Sequence, residues 1–143
     1  MSEAPVLIMA GGTGGHVFPA LAVARALRLR NEQVVWLGTE RGIESRVVPS
    51  EGIPLETVRV QGLRGKGVRS WLLAPLRILV AVADAVRVVR RCRPKVVLGM
   101  GGYTAGPGGL AAWLLRRPLV IHEQNAVAGL TNRLLAGFAR EVL

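Results

Sequence analysis

The chain enters an apolar run at Val6–Ala10 and returns to such runs at Gln33–Gly38, Leu55–Val60, Lys95–Gly99 and Leu119–Glu123. Each is short and rich in β-branched residues, and several are apolar almost throughout. That pattern belongs to parallel strands covered by helices on both faces. Between the runs, apolar positions recur at helical spacing. They predict helices over Phe18–Arg30, Arg41–Glu51, Pro75–Arg93, Gly106–Leu115 and Gly129–Ala139, with Ser70–Ala74 as a lead-in turn to the third. Pro19 and Pro75 suit first turns, where a missing N–H costs nothing. Alternating strands and helices with right-handed crossovers predict a doubly wound, Rossmann-like α/β sheet. Glu141-Val142-Leu143 reads as the opening of a further strand, so residues 1–143 are expected to be a fragment of a longer chain.

Composition narrows the class. A chain of 143 residues that is 50% hydrophobic has enough apolar surface for one domain and excludes disorder. Cys92 is the single cysteine, so no internal disulfide can form. The amino terminus lacks the basic start and small-residue cleavage site of a signal peptide, which points to the cytoplasm. The net charge of +10 is concentrated: Arg59 to Lys95 holds ten basic residues and one acidic, +9, and the remainder nine basic and eight acidic, +1. Such a segment suits an anionic partner, whether nucleic acid, a phospholipid surface or a phosphorylated substrate, or is simply a solvated basic helix face. Trp71–Ala83 is apolar except for Arg77. It is short of the ~20 residues that cross a bilayer, and reads as a core helix or one lying on a membrane surface.

The candidate chemistry sits where strands end. Val6–Ala10 runs into Gly11-Gly12-Thr13-Gly14-Gly15-His16 and then a helix. In a doubly wound sheet this is the ligand-binding edge, where glycines admit close approach and a helix N-terminus offers N–H groups to phosphate. The dinucleotide fingerprint fails because Val17 stands at its third glycine, and no Gly-Lys-Ser/Thr supplies a nucleotide-hydrolysing loop. A tight turn of purely structural purpose is the plain alternative. A second cluster, Gly99 to Gly109, closes the fourth strand, and two such loops on one edge suit a diphosphate substituted on both sides. His16 begins a helix beside this cradle, where a neutral imidazole can accept a proton. His122 alternates to the opposite face from Glu123 and Asn125, which reads as a packing role, while those two can reach a ligand. No cluster has metal-ligand spacing.

Taken together, Gly11 to Ala20, Gly62 to Gly67, Gly99 to Tyr103 and His122 to Asn132 resemble, in order and over essentially the whole chain, the amino-terminal motifs of the MurG family. That family moves N-acetylglucosamine from UDP-N-acetylglucosamine to an undecaprenyl-diphosphate-linked muramyl-pentapeptide. The resemblance implies the amino-terminal, acceptor-binding half of a two-domain B-type glycosyltransferase fold, with the carboxyl-terminal donor half absent from residues 1–143. It implies His16 as general base, and Thr13, Gly14, Gly15 and Asn125 as donor contacts. Gly12, Gly101, Gly102, Tyr103 and Glu123 are implied at the acceptor diphosphate. A membrane-docking patch is implied at Leu72, Leu76, Leu79, Val82 and Trp113, on the cytoplasmic side of the bacterial cell membrane; Leu79 and Val82 stand where some relatives carry bulkier aromatics. Neither cofactor nor metal is implied. Two other classes compete. A nicotinamide-binding module requires an acid after the second strand, for which Glu40 is the candidate. A nucleic-acid-binding domain would use the charge, but Trp71 alone interrupts the basic segment and no recognition motif is present, so no nucleic acid is expected.

Overall fold

A computed structural model describes residues 3–60, 67–126 and 129–143. The order along the chain is β1 (Val6–Met9), α1 (Gly14–Leu29), β2 (Val34–Gly38), α2 (Glu44–Ser50), β3 (Leu55–Thr57), α3 (Val68–Leu72), α4 (Ala74–Cys92), β4 (Val96–Gly99), α5 (Ala105–Leu114), β5 (Leu119–Ile121), α6 (Leu130–Leu135) and β6 (Glu141–Val142). The strands form one parallel sheet in the order β3-β2-β1-β4-β5-β6. The chain therefore winds outward from β1 to β3, returns, and winds outward again from β4. The reversal lies between β1 and β4, where Val6 pairs Val96 and Met9 pairs Gly99, and a crevice opens beyond their carboxyl ends.

Strand periodicity divides the core. Val6, Ile8 and Ala10 pack with Val17, Leu21, Ala24 and Val48 of α1 and α2. Leu7 and Met9 turn to the other face, against Ala85, Val88 and Val89 of α4, Ala111 and Ala112 of α5, and Leu135 of α6. Trp36, fully buried on β2, donates its indole N–H to Ala10 O at 2.8 Å and pins the start of the first glycine loop. Asp84 on α4 accepts from the backbone N–H, Nε and Nη2 of Arg59 and from Arg87 Nη1, tying the chain just past β3 to α4. The Arg59 hydrogen bonds hold the Asp84 carboxyl below its ordinary range, against the opposing effect of burial.

Several boundaries differ from the periodicity. Helix α1 starts at Gly14 rather than Phe18, so Pro19 is the sixth residue of the helix and not in its first turn. Glycines hid that first turn, because they carry no apolar position to count. Helix α2 starts at Glu44, since Gly42 and Ile43 turn first. The lead-in to α4 is a separate short helix, α3. Strand β3 stops at Thr57 and β5 at Ile121, where their pairing to β2 and β4 runs out. Helix α6 spans only Leu130–Leu135, and Glu141-Val142 completes the sixth strand that the sequence suggested. Most of Gly62–Gly67, together with Val127 and Ala128, lies outside the described residues.

Close packing of α5 sets the second glycine loop against the sheet. A Cβ on Gly108 would fall 2.1 Å from Met9 Sδ and 2.9 Å from Leu37 Cδ2, whereas one on Gly106 would meet only Thr131 Cγ2 at 3.5 Å. Gly108→Val is therefore expected to cost about 1–3 kcal/mol by overpacking. Gly106→Ala should change stability by no more than about 0.5 kcal/mol. Urea denaturation of both variants checks the contrast.

Candidate active site

The two glycine loops meet at the crevice. Gly12, Gly101 and Gly102 take φ of +93°, +97° and +86°, which L side chains rarely adopt. A Cβ on Gly102 would fall 2.0 Å from Gly11 O, so here the two backbones touch. Tyr103 is half exposed and leans over Gly12, whose Cβ would come within 3.2 Å of its ring. Thr13 caps α1 with extended φ/ψ, and its side chain makes no capping bond. The first-turn N–H groups of α1, at Gly14 and Gly15, have no backbone acceptor among the described residues, at the positive end of the helix dipole.

His16, in the same turn, reaches across to the second loop. Its Nδ1 lies 3.2 Å from Met100 O, and a Cβ on Gly101 would fall 2.6 Å from that nitrogen. Nε2 makes no hydrogen bond among the described residues. Gln124, just past β5, places its carboxamide Nε2 at 2.8 Å from His16 Nδ1 and donates to Gly15 O and Met100 O, each at 3.1 Å. Sequence reasoning passed over Gln124. Its signal was Pro19, four residues after Gly15, which removes the helical donor that Gly15 O would otherwise have.

Beneath the first loop lies a second residue the sequence reading missed. The Glu44 carboxylate is fully buried and has no cationic partner among the described residues. It accepts from Gly12 N at 3.1 Å, Thr39 N at 2.9 Å and Thr39 Oγ1 at 2.8 Å. Cβ atoms on Gly11, Gly38 and Gly42 would all collide with it, at 2.6, 2.6 and 2.1 Å. Glu40, two residues past β2, is exposed to solvent, and the buried acid after that strand is Glu44, at the start of α2. Because Gly12 N–H is used on Glu44, Gly12 can serve a ligand by close approach but not by donation.

Glu123 organises the third loop. Its carboxylate accepts from Asn125 N at 3.0 Å, Asn125 Nδ2 at 2.9 Å, Gly129 N at 3.0 Å and Asn132 Nδ2 at 2.9 Å. Burial pushes this carboxyl up, but the hydrogen bonds from Asn125, Gly129 and Asn132 outweigh it and bring it from 4.5 to about 2. Asn125 is exposed, and His122 turns Nδ1 into the interior, as the alternation suggested.

Away from the crevice, Leu72, Leu76 and Leu79 are 75%, 59% and 66% exposed on α3 and α4, accompanied by Trp71 and Ile78. Val82 is half-buried, and Trp113 of α5 meets Phe138 in a tilted aromatic pair with ring centroids 5.1 Å apart. A cavity of about 400 Å³ near the ends of β2 and β3 is lined by Arg41, Arg59, Arg77, Leu76 and neighbouring residues. The basic segment is partly neutralised inside the fold: Arg59 and Arg87 share Asp84, Arg91 meets Glu56 and Lys95 meets Glu32. No helix among the described residues is long and apolar enough to cross a membrane.

The depressed Glu123 carboxyl sets a pH dependence. A group whose folded value lies below its unfolded one contributes stability that is complete above the unfolded value and lost as pH falls through the folded value. The loop from Glu123 to Asn132 should therefore hold above pH 4.5 and loosen as pH falls toward about 2. A carboxyl ¹³C titration of Glu123 is expected to show a midpoint far below 4.5; a midpoint at the ordinary value would contradict these hydrogen bonds.

Comparison with known proteins agrees with this architecture. The sequence profile of the glycosyltransferase family 28 N-terminal domain matches residues 6–143. A protein of Alkalilimnicola ehrlichii named UDP-N-acetylglucosamine--N-acetylmuramyl-(pentapeptide) pyrophosphoryl-undecaprenol N-acetylglucosamine transferase is 69% identical over 97% of this chain, and one of the same name from Nitrosococcus oceani is 59% identical over 96%. The crystal structure of Acinetobacter baumannii MurG superposes with a TM-score of 0.85 at 52% identity, covering 96% of this chain. The chain spans 39%, 38% and 40% of the lengths of these three proteins. The Streptomyces glycosyltransferase SsfS6, 18% identical with a TM-score of 0.69, shares the fold. The glycine loops, the sheet order and these matches together make the chain a member of the glycosyltransferase family 28 N-terminal domain family.

Proposed function

We propose that this chain is the acceptor-side half of an inverting N-acetylglucosaminyltransferase, whose donor is UDP-N-acetylglucosamine and whose acceptor is an undecaprenyl-diphosphate-linked muramyl-pentapeptide. The observation that carries the reading is the meeting of both glycine loops around His16, in a chain 69% identical to a transferase named for those substrates. In this reading the 4-hydroxyl of the muramyl sugar attacks the anomeric carbon of the donor. The bond from that carbon to the UDP oxygen breaks, and the hydroxyl proton passes to His16 Nε2. With the Nδ1 hydrogen donated to Met100 O, Nε2 keeps its lone pair for that task.

The acceptor diphosphate would rest at Gly12, Gly101, Gly102 and Tyr103, with Glu123 shaping the adjoining loop. Thr13, Gly14, Gly15 and Asn125 would meet the donor from this side. The first-turn amides of α1 offer fixed donors to developing negative charge, which needs no metal. The other wall of the cleft belongs to a carboxyl-terminal domain outside residues 1–143. Arg41 and Arg77, in the cavity beside β2 and β3 that Glu40 and the paired Arg59 also line, add positive potential for an anionic acceptor.

Two tests follow. The chain joined to the carboxyl-terminal domain of its parent should transfer N-acetylglucosamine to the lipid-linked acceptor, while residues 1–143 alone should not. In the joined enzyme His16→Ala should lower kcat by roughly 10²–10⁴-fold with little change in donor KM. A loss of only a few-fold would make His16 a loop-shaping residue.

The second test concerns docking at the cytoplasmic face of the membrane through Leu72, Leu76, Leu79, Val82 and Trp113. Arg69, Arg77, Arg90 and Arg93 form no ion pair among the described residues, and each is worth about 1 kcal/mol near an anionic surface. The chain should sediment with anionic vesicles at low salt and be only partly released at high salt. The double substitution Leu76→Ser and Leu79→Ser should abolish the salt-resistant part alone. Failure to bind even at low salt would remove the membrane from the reading.

A further inference from the structure

We infer that Gln124 is the positioning residue for His16, holding the imidazole so that Nδ1 donates to Met100 O and Nε2 stays open to the crevice. The inference rests on the reading of His16 as proton acceptor, but its geometry stands independently. Which end of the carboxamide is nitrogen follows from its neighbours, because Gly15 O and Met100 O, each 3.1 Å away, can only accept. Both amide hydrogens are thus used, one on each carbonyl. Gly15 O needs this donor, since Pro19 stands where a helix would supply an N–H. The same nitrogen touches His16 Nδ1 at 2.8 Å. We assign the hydrogen of the neutral ring to this Nδ1, directed at Met100 O 3.2 Å away. Gln124 therefore closes a triangle with His16 Nδ1 and Met100 O, and braces α1 against the ends of β4 and β5. The imidazole has a stop on each side of Nδ1: Gln124 beyond β5 and the backbone of Gly101, whose missing side chain makes the room.

The chain contains only two histidines, His16 and His122, which makes the test direct. In the ¹⁵N-histidine-labelled chain, long-range ¹H–¹⁵N spectra above the titration range should show neutral His16 with its hydrogen on Nδ1. His16→Ala assigns the signals by their loss. Gln124→Met should shift or average the His16 ring nitrogens and leave those of His122 in place. Gln124→Asn, shorter but still an amide, serves if the Met variant does not fold. A wild-type ring protonated on Nε2, or His16 signals unmoved by loss of the carboxamide, would overturn the inference.

A kinetic cycle in the joined enzyme separates positioning from mere support. Gln124→Met should lower kcat roughly 10- to 100-fold, the usual cost of losing a residue that orients a reacting one, and leave donor KM unchanged. In the His16→Ala background the same change should cost at most about two-fold, because coupled residues are not additive. Equal losses in both backgrounds would show that Gln124 does not act through His16. If His16→Ala itself is silent, the base reading fails, while the ring spectra still decide the positioning.

Discussion

The site depends on backbone touching backbone. Gly102 approaches Gly11 so closely that a Cβ would fall 2.0 Å from the carbonyl oxygen, with only backbone atoms at that point of contact. This approach joins the carboxyl ends of β1 and β4, the strands between which the winding reverses. Any residue but glycine at position 102 would force the loops apart and would have to hold φ near +86° as well. Because the loops touch, His16 of one can reach Met100 O of the other, and Tyr103 of the second can lie over Gly12 of the first. The crevice is therefore a single structure held by two halves of the sheet, not two adjoining turns.

Glu44 shows what holding that contact costs. A buried carboxylate without a cation is unfavourable unless hydrogen bonds replace its water. Three donors do so here, each a charge-assisted bond worth roughly 1.5–3 kcal/mol, and the carboxylate sits in the first turn of α2, where the dipole favours it. Three glycines exist around it because no side chain fits there. The benefit is positional: one carboxylate ties the turn after β2 to the turn after β1 and directs Gly12 N–H inward. The ligand-facing donors are then those of the α1 first turn, at Gly14 and Gly15.

The fold was legible where the chain is apolar and repetitive. The five runs named from sequence all became strands, and the sixth was visible in Glu141-Val142-Leu143, which follows a helix. The family was legible from the glycine-rich and His122–Asn132 motifs, and the profile match over residues 6–143 agrees. What escaped were residues whose partners are distant in sequence. Glu44 lies 32 residues from Gly12, and Gln124 lies 108 from His16. Periodicity carries no information about such pairs. The misplaced start of α1 compounded this: with Pro19 put in the first turn, no carbonyl lacked a donor, and nothing called for Gln124. Leu72, Leu76 and Leu79, named from the sequence, are exposed on α3 and α4. Val82 proved half-buried, lying on α4 at the border of the face that buries Ala81 and Ala85.

Charge illustrates the same boundary between sequence and structure. The sum of +9 between Arg59 and Lys95 describes a segment, whereas a surface or ligand responds to charges that remain unpaired. Folding brings Glu56 to Arg91 and Glu32 to Lys95, and sets Asp84 between Arg59 and Arg87. The field left over is smaller and more local than the sum. Its members divide by position: Arg69 and Arg77 accompany the exposed leucines of α3 and α4, while Arg90 and Arg93 lie at and just beyond the far end of α4. Arg77 donates to Ser70 Oγ, a neutral partner that orients the guanidinium without cancelling it. Positive charge thus survives beside the apolar patch because Asp84, Glu56 and Glu32 pair with other basic residues. The positive charge beside the exposed leucines and the backbone donors of the crevice are thus separate features of the fold, set on different elements.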